Sequence, residues 1–532
     1  MAFCKYYPFK FCQIPQKIKT LFIIFIILSF AGFLRYRALI KSELIFDGDE
    51  ALIGLMAKHI IENKIRPVFV YGQDYMGSFE GYTVALLFSI FGNSIYVLKS
   101  APAFYSLLLL IFVFILIAKL FNKKIAMLSI LFWTAPPYLI LQWSLSPTGG
   151  HIENLLFVFI LFLLAYKYFE TRKNAAVLYS FFLISGFAFW VNPFSIFVIF
   201  SFLILFLYDI LKNKEYRKTF LFFYLAIFFT IGCLSLVYYN IQNNFITFKK
   251  LAAFFLGISS SAYHSADTQI HILIFQKIIG MLTNIPLGII KISKSIILNS
   301  GNYYFDGLIY FSVLIYTIIV GLKSKTNFFK LVGLYSLIIF ILFSISSRAA
   351  DRERYILVFY PAITIGIFHI ISHLQNNFKK IAVLVFIIII LLNLTKILKI
   401  EKTKDIQNFF DKYRATEKFL ISQNIKYVYA DMYIAYPLAY LSDERIIASP
   451  AAGFYNEDRI PSYTNIVSVN KSNTFIFFKD SYSSQALISK LTALNISFKK
   501  HTIFDFDIFY DFSEYIEIAK LDLPKRFRKK NN

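Results

Sequence analysis

Between residues 20 and 397 the chain is dominated by apolar runs close to the roughly 20 residues that cross a bilayer as a helix. Lipid offers no hydrogen bonds, so each run must satisfy its own backbone, and helix is the form that does so within one segment. Eleven spans are predicted, at about 20–38, 96–120, 124–141, 153–169, 175–191, 194–211, 219–239, 306–322, 329–346, 355–373 and 379–397. Hydrophobic residues make up 58% of the 532 positions and aromatics 19%, more apolar surface than a soluble domain can hide. The fold class is therefore a polytopic α-helical membrane protein with about 11 transmembrane helices.

Lysine and arginine number 55 against 31 acids, a net charge of +24. A basic balance of that size suits nucleic acid, but here the cations stand in short runs between apolar spans. That is the pattern that sets membrane topology, so no nucleic-acid partner is expected. With the N-terminus inside, Lys119/Lys123/Lys124, Lys167/Arg172/Lys173, Lys212/Lys214/Arg217/Lys218, Lys323/Lys325 and Lys379/Lys380 all fall in the cytoplasm. Loops 39–95, 142–152, 240–305 and 347–354 then lie outside, with the tail from 398. The first apolar segment reads as a retained helix rather than a removed signal peptide. Cys4, Cys12 and Cys233 offer no disulfide framework.

Ala51 to Ile61 and Tyr82 to Phe91 are too short to span and read as interfacial helices in the first outer loop. Ile279 to Ile290 reads as interfacial or re-entrant. Residues 1–397 form the membrane domain, and 398–532 a small extracytoplasmic α/β domain. In the latter, helices are predicted over Lys402–Ser422 and Ser484–Leu494, and strands at Lys426–Ala430, Thr464–Val469 and Thr474–Phe478, with a further strand pair over Thr502–Phe512. The run Lys525 to Lys530 reads as a basic tail near anionic headgroups.

The acids are few and unevenly placed. Asp47-Gly48-Asp49-Glu50 puts three carboxylates just past the first span, where mutual repulsion calls for a metal, a cationic substrate or a proton transfer. The simpler reading is an N-cap cluster opening a helix at Ala51. Glu80 precedes the second interfacial helix, and Glu153 follows Gly149-Gly150-His151-Ile152 at the outer end of the fourth span. Three segments thus deliver acids to one face at one depth, as a site at the membrane surface requires. A cationic cluster, Arg348-Ala-Ala-Asp351-Arg352-Glu353-Arg354-Tyr355, precedes the tenth span. Guanidinium forks suit a phosphate or pyrophosphate headgroup, and internal pairing with Asp351 and Glu353 is the alternative.

The stretches Phe46 to Ile60, Val70 to Glu80, Gly149 to Glu153, Arg354-Tyr355 and Ala430 to Ser442 resemble the membrane-embedded GT-C glycosyltransferases. That superfamily includes protein O-mannosyltransferases and lipid A aminoarabinose transferases, and the chain looks closest to a large bacterial group related to them. The resemblance implies that Asp49 is the catalytic base and Glu50 its partner. It sets Glu80 and Glu153 at the family's other acidic positions, and Arg354 and Tyr355 near the donor phosphate. The matched stretches also bring Tyr71, Gln73, Tyr75 and His151, with Asp47 and Arg352 beside them, as expected substrate contacts. Aminoarabinose transferases follow their acid with Lys-Pro-Pro, whereas Glu80 precedes Gly81-Tyr82, so that family's lysine contact has no counterpart here. A divalent metal bridging Asp49, Glu80 and Glu153 varies within the superfamily and stays open.

The expected activity is transfer of a sugar from a polyprenyl-phosphate donor to an acceptor hydroxyl, with inversion. The site would face the extracytoplasmic side of a bacterial inner membrane, and the acceptor would be a glycan, a lipid or a protein. The chain shows no glycine fingerprint for a nucleotide donor. The alternative is a lipid or solute transporter or flippase of the envelope, which calls for ionisable groups or broken helices at mid-membrane. A scaffold with a binding domain outside would leave the convergent acids unexplained.

Overall fold

The computed structural model describes residues 16–41, 46–62, 64–171, 174–215, 219–256, 285–299, 304–346, 353–400, 404–450 and 458–521. Arg348, Asp351 and Arg352 lie outside these residues, as do Cys4, Cys12, residues 279–284 of the expected re-entrant segment and the basic run 525–530.

The chain begins with helix α1 (Gln16–Lys41), followed by α2 (Gly48–Ile61) and α3 (Phe79–Phe91) in the first large loop. The membrane body continues with α4 (Ile95–Leu120), α5 (Lys123–Thr134), α6 (Tyr138–Trp143), α7 (His151–Thr171), α8 (Ala175–Val191) and α9 (Ile196–Lys212). After α10 (Leu221–Gly232), α11 (Leu234–Gln242) and α12 (Ile246–Leu256) come α13 (Ile285–Asn299), α14 (Tyr304–Lys323), α15 (Asn327–Ile345), α16 (Tyr360–His373) and α17 (Asn376–Leu398).

Among the described residues eight helices are long and apolar enough to cross a membrane, α16 together with the 3₁₀ segment Glu353–Phe359 being one of them. The expected span at 219–239 is the bent pair α10–α11, which turns by 82° at Cys233. The expected span at 124–141 is broken at Ala135-Pro136-Pro137 into α5 and α6, because the prolines lack the N–H that would continue the helix. Arg35 of α1 answers that break. Its guanidinium donates to the carbonyls of Trp133 at 3.1 Å and Thr134 at 3.4 Å, and to Ser106 Oγ at 2.6 Å. A buried cation here is matched to carbonyls that the helix end leaves open. Glycines set the closest crossings: a Cβ at Gly186 would stand 2.0 Å from Phe229 O, and one at Gly232 2.0 Å from Leu183 O. Helices α8 and α10 therefore pack backbone to backbone, as small residues allow in membranes.

The C-terminal α/β unit holds α18 (Lys404–Ser422), β1 (Tyr427–Ala430), α19 (Met432–Leu441), β2 (Ile447–Ser449), α20 (Pro461–Val469), β3 (Phe475–Phe478), α21 (Tyr482–Ala493), β4 (Lys499–Ile503), β5 (Phe506–Tyr510) and α22 (Ile518–Leu521). Its sheet runs β2-β1-β3-β5-β4, with β1 parallel to β2 and β3, and β5 antiparallel to β3 and β4. Thr464 to Val469, expected as a strand, is helix α20. Pro461 occupies its first turn, and Tyr463 and Val467, four residues apart, are the buried pair. The β-branched residues Thr464, Ile466, Val467 and Val469 suggest a strand, yet Ile466 and Val469 are exposed. Helix α3 keeps Leu86, Ile90 and Phe91 exposed, as an interfacial helix does. Helix α2 differs: Ala51 through His59 are all buried, enclosed between α3 and α19.

Candidate active site

Helix α2 presents the acidic run on its first turn, and its three carboxylates have three different fates. Asp47 is the N-cap, its Oδ1 accepting from Glu50 N at 3.0 Å, so the capping role anticipated for this run belongs to Asp47. Glu50 is buried and faces Lys99 of α4, whose Nζ lies 2.7 Å from Oε1 and 2.6 Å from Oε2. Burial pushes the Glu50 carboxyl up to about 8 even against the pull of Lys99. Asp49 is partly exposed, and its Oδ1 has no hydrogen-bond partner among the described residues. Its charge is felt by both Tyr75 and Arg354. Of the three, Asp49 is the one held by neither the cap nor an ion pair among the described residues.

The rest of the first loop is clamped on the end of α8. Gly77 N donates to Trp190 O at 2.9 Å, Trp190 Nε1 donates to Val68 O at 2.9 Å, and Phe69 bridges to Gly77. A Cβ at Gly77 would meet Trp190 O at 2.5 Å, so the approach needs glycine. This clamp delivers Glu80, on the first turn of α3, to the loop before α7. Glu80 Oε2 accepts from Gly149 N at 2.7 Å and also takes the Gly150 N–H. Burial, then the neighbouring Glu153 charge, push the Glu80 carboxyl well above its ordinary range. Gly149 and Gly150 have φ of +104° and +81°, a left-handed turn that exposes successive N–H groups to one carboxylate. Glu153, on the first turn of α7, is buried with Oε1 lacking a partner among the described residues.

Two clefts meet here. One, of about 710 Å³, is lined by Asp47, Glu50, Lys99, Tyr138, Trp143, Ser146 and Thr148, with apolar walls from Ala38, Leu39 and Ile400. The other, of about 440 Å³, is lined by Gln73, Tyr75, Thr148, His151, Asn192, Phe194, Arg354 and Tyr355. Thr148 borders both. Asp49 lines neither, but Asp47 and Glu50 line the first, and Tyr75 and Arg354, which feel the Asp49 charge, line the second. Gln73 Oε1, His151 Nε2 and Arg354 Nε are buried without a hydrogen-bond partner among the described residues. Arg354 stacks over the Tyr355 ring at 5.4 Å, and Phe194 meets that ring edge-on at 5.3 Å. Buried polar atoms left in this state are expected where a ligand completes them.

The structure thus lines the second cleft with Gln73, Tyr75, His151, Arg354 and Tyr355, sets Asp49 within electrostatic reach of Tyr75 and Arg354, and sets Glu80 within reach of the Glu153 charge. It sets Tyr71 elsewhere, its hydroxyl on His59 Nδ1 at 2.6 Å, at the seam with the C-terminal unit. Burial pushes the Tyr75 hydroxyl up to about 12, so it acts as a neutral donor. Lys99, Thr148 and Asn192 were missed by sequence reasoning. Lys99 had a signal, a cation at the end of a span assigned to the lysine-poor face. Among the described residues no three His, Cys, Asp or Glu converge into a group that could hold a metal.

Residues 79–239 match the family described as dolichyl-phosphate-mannose-protein mannosyltransferase. No curated protein matches the chain by sequence. Among solved structures, ArnT from Cupriavidus metallidurans in the apo state aligns over 91% of this chain and 97% of its own, with TM-score 0.55 and 12% identity. The same protein bound to undecaprenyl phosphate aligns over 92% of this chain and 97% of its own, at 0.56 and 11%. The Archaeoglobus fulgidus oligosaccharyltransferase in complex with Zn and sulfate aligns over 91% and 73%, at 0.52 and 13%. At these identities the likeness is one of fold.

Proposed function

We propose, for a multi-pass membrane protein with the GT-C fold, that it moves a sugar from a polyprenyl-phosphate carrier to an acceptor hydroxyl on the extracytoplasmic side. The observation that carries this reading is Asp49, a carboxylate outside both the cap and the Lys99 pair and within electrostatic reach of Arg354. Asp49 takes the proton of the acceptor hydroxyl as its oxygen attacks the anomeric carbon. The bond from that carbon to the phosphate oxygen breaks, and the phosphate leaves with the electron pair. Arg354, supported by Tyr355, meets the charge growing on that phosphate. A single displacement of this kind inverts the anomeric centre. Glu153, Gln73, His151 and Tyr75 offer acceptors and a donor to the sugar hydroxyls. Undecaprenyl phosphate in the ArnT structure supports a lipid carrier as the leaving group.

The transport alternative has the break at Gly232-Cys233 on its side. No aspartate, glutamate, lysine or arginine occurs between residues 221 and 242, so that break brings no charge to mid-membrane. Purified protein with radiolabelled polyprenyl-phosphate sugars tests the assignment. Asp49→Asn should fold normally, because Asp47 keeps the cap, and lose on the order of 10²–10⁴-fold in turnover. Near-normal turnover in that variant would sink Asp49 as the base, and lipid movement without donor cleavage would favour transport.

A further inference from the structure

The acid-bearing helix α2 is held along its length by the C-terminal unit, from residues some 385 positions away in sequence. Near its start, a Cβ at Gly48 would stand 3.1 Å from Met432 O. At its middle, a Cβ at Gly54 would stand 2.5 Å from the Tyr440 ring, so glycine is what lets that ring lie against the helix. In its last turn, Lys58 Nζ lies 2.6 Å from Asp443 Oδ1, and His59 Nε2 lies 3.0 Å from Glu444 Oε1. The order Gly48–Met432, Gly54–Tyr440, Lys58–Asp443 makes α19 run parallel to α2 and in contact with it throughout. Parallel neighbours align their dipoles unfavourably, so the register depends on packing and on these end contacts.

Those end contacts form a connected cluster. Glu444 Oε1 also accepts from the Tyr463 hydroxyl at 2.7 Å, and the other nitrogen of His59 meets the Tyr71 hydroxyl at 2.6 Å. Tyr71 belongs to the loop that carries Gln73 and Tyr75 into the second cleft. Burial raises the Glu444 carboxyl, but the hydrogen bonds from His59 and Tyr463 outweigh it and bring it down to about 2. Asp443 and Glu444 have φ of 52° and 58°, left-handed for non-glycine residues, in the turn that sets both carboxylates on Lys58 and His59. The core around α2 is likewise shared, with Met432, Tyr436, Ala439, Tyr440, Ile460 and Tyr463 packed among Phe46, Leu52, Leu55 and Met56.

We propose that Glu444 is a positioning residue, bracing α2 and the Tyr71–Tyr75 loop through His59 so that Asp49 and the second cleft stand in register for transfer. The proposal rests on the transferase reading above. On this reading the C-terminal unit serves as the outer wall of the catalytic loop. A misplacement near 1 Å in a reacting pair costs on the order of 100-fold in rate, so loosening this brace is expected to reduce kcat far more than KM.

The test uses full-length Glu444→Ala, with Tyr463→Phe as a milder second variant that removes one hydrogen bond to the same oxygen. Deuterium uptake of the peptide covering 48–61 reads the brace, and steady-state transfer from a polyprenyl-phosphate sugar reads its consequence. Expected are faster exchange in that peptide, a fall in kcat of about tenfold or more with donor KM held within about twofold, and recovery of both in Glu444→Asp. Lower kcat with unchanged exchange overturns the proposal, and so does faster exchange with unchanged kcat. If Glu444→Ala does not fold, the same two outcomes in Tyr463→Phe decide. Wild-type protein that turns over no donor would refute the transferase reading instead, while the exchange arm still decides whether the brace exists.

Discussion

Removing Lys99 by Lys99→Met isolates the most deeply buried charge pair of the site. Its ammonium lies 2.6 Å and 2.7 Å from the two Glu50 oxygens, and both side chains are about 5% exposed or less. Deleting one partner of such a pair leaves an unpaired carboxylate and typically costs about 3–5 kcal/mol. Glu50 has an escape, which is to bind a proton. With a folded value of about 8 it already holds that proton at pH 7 in the wild type, at a cost of roughly 1.4 kcal/mol per unit over two and a half units, or about 3.5 kcal/mol. The variant adds little to that cost at pH 7, and the loss expected there is that of the Lys99–Glu50 hydrogen bond, about 1.5 kcal/mol or less.

The sign with pH follows from proton counts. A carboxyl whose folded value is raised binds more protons folded than unfolded, so stability falls as pH rises from 4.5 toward the folded value. In wild type that value is about 8, and in Lys99→Met, without the ammonium, it lies higher. Thermal unfolding in detergent should therefore show wild type and variant declining together from pH 5 to about pH 7, with the decline continuing to higher pH in the variant. Lys99→Met combined with Glu50→Leu should recover most of the loss, because no charge then remains buried. A variant as stable at pH 8 as at pH 5, or a double variant less stable than either single one, would refute the reasoning.

Two further outcomes are expected. Gly149→Ala, at φ +104°, should lose about 1–3 kcal/mol in thermal unfolding, and loosen the turn that feeds two N–H groups to Glu80; an unchanged midpoint would refute the argument. Arg354→Lys should keep the charge but lose the guanidinium geometry over Tyr355, lowering kcat/KM for the donor by about tenfold, the equivalent of one charge-assisted hydrogen bond of roughly 1.5 kcal/mol. Rates within twofold of wild type would remove Arg354 from the donor phosphate.

The candidate site was legible in the sequence to the extent that its proposed members were anomalies. Asp47, Asp49, Glu80 and Glu153 stood out because an acid at the edge of an apolar span needs a reason. The cap at Asp47 followed from local rules alone, since a cap is made with the helix's own N–H groups three residues on. The strands at Tyr427–Ala430 and Phe475–Phe478 were legible for a similar reason, being short apolar β-branched and aromatic runs between turns. Thr464–Val469 was misread because six residues fit both periods, and only Pro461 at the helix start and the buried pair Tyr463 and Val467 decide.

What the sequence determined by itself is what depends on solvent: long apolar runs must be helices in lipid, and scarce acids stand at the ends of those runs rather than within them. Partnership depended on the tertiary structure. Asp49 and Glu50 are adjacent, yet Lys99 claims one and leaves the other outside any ion pair among the described residues, which no pattern along the chain distinguishes. Helix α2 read as an interfacial helix because its apolar run is too short to span. Its enclosure by Met432, Tyr440 and Glu444 is fixed by a unit folded from the far end of the chain. Periodicity records how much of a residue is buried, and only packing in three dimensions selects what buries it.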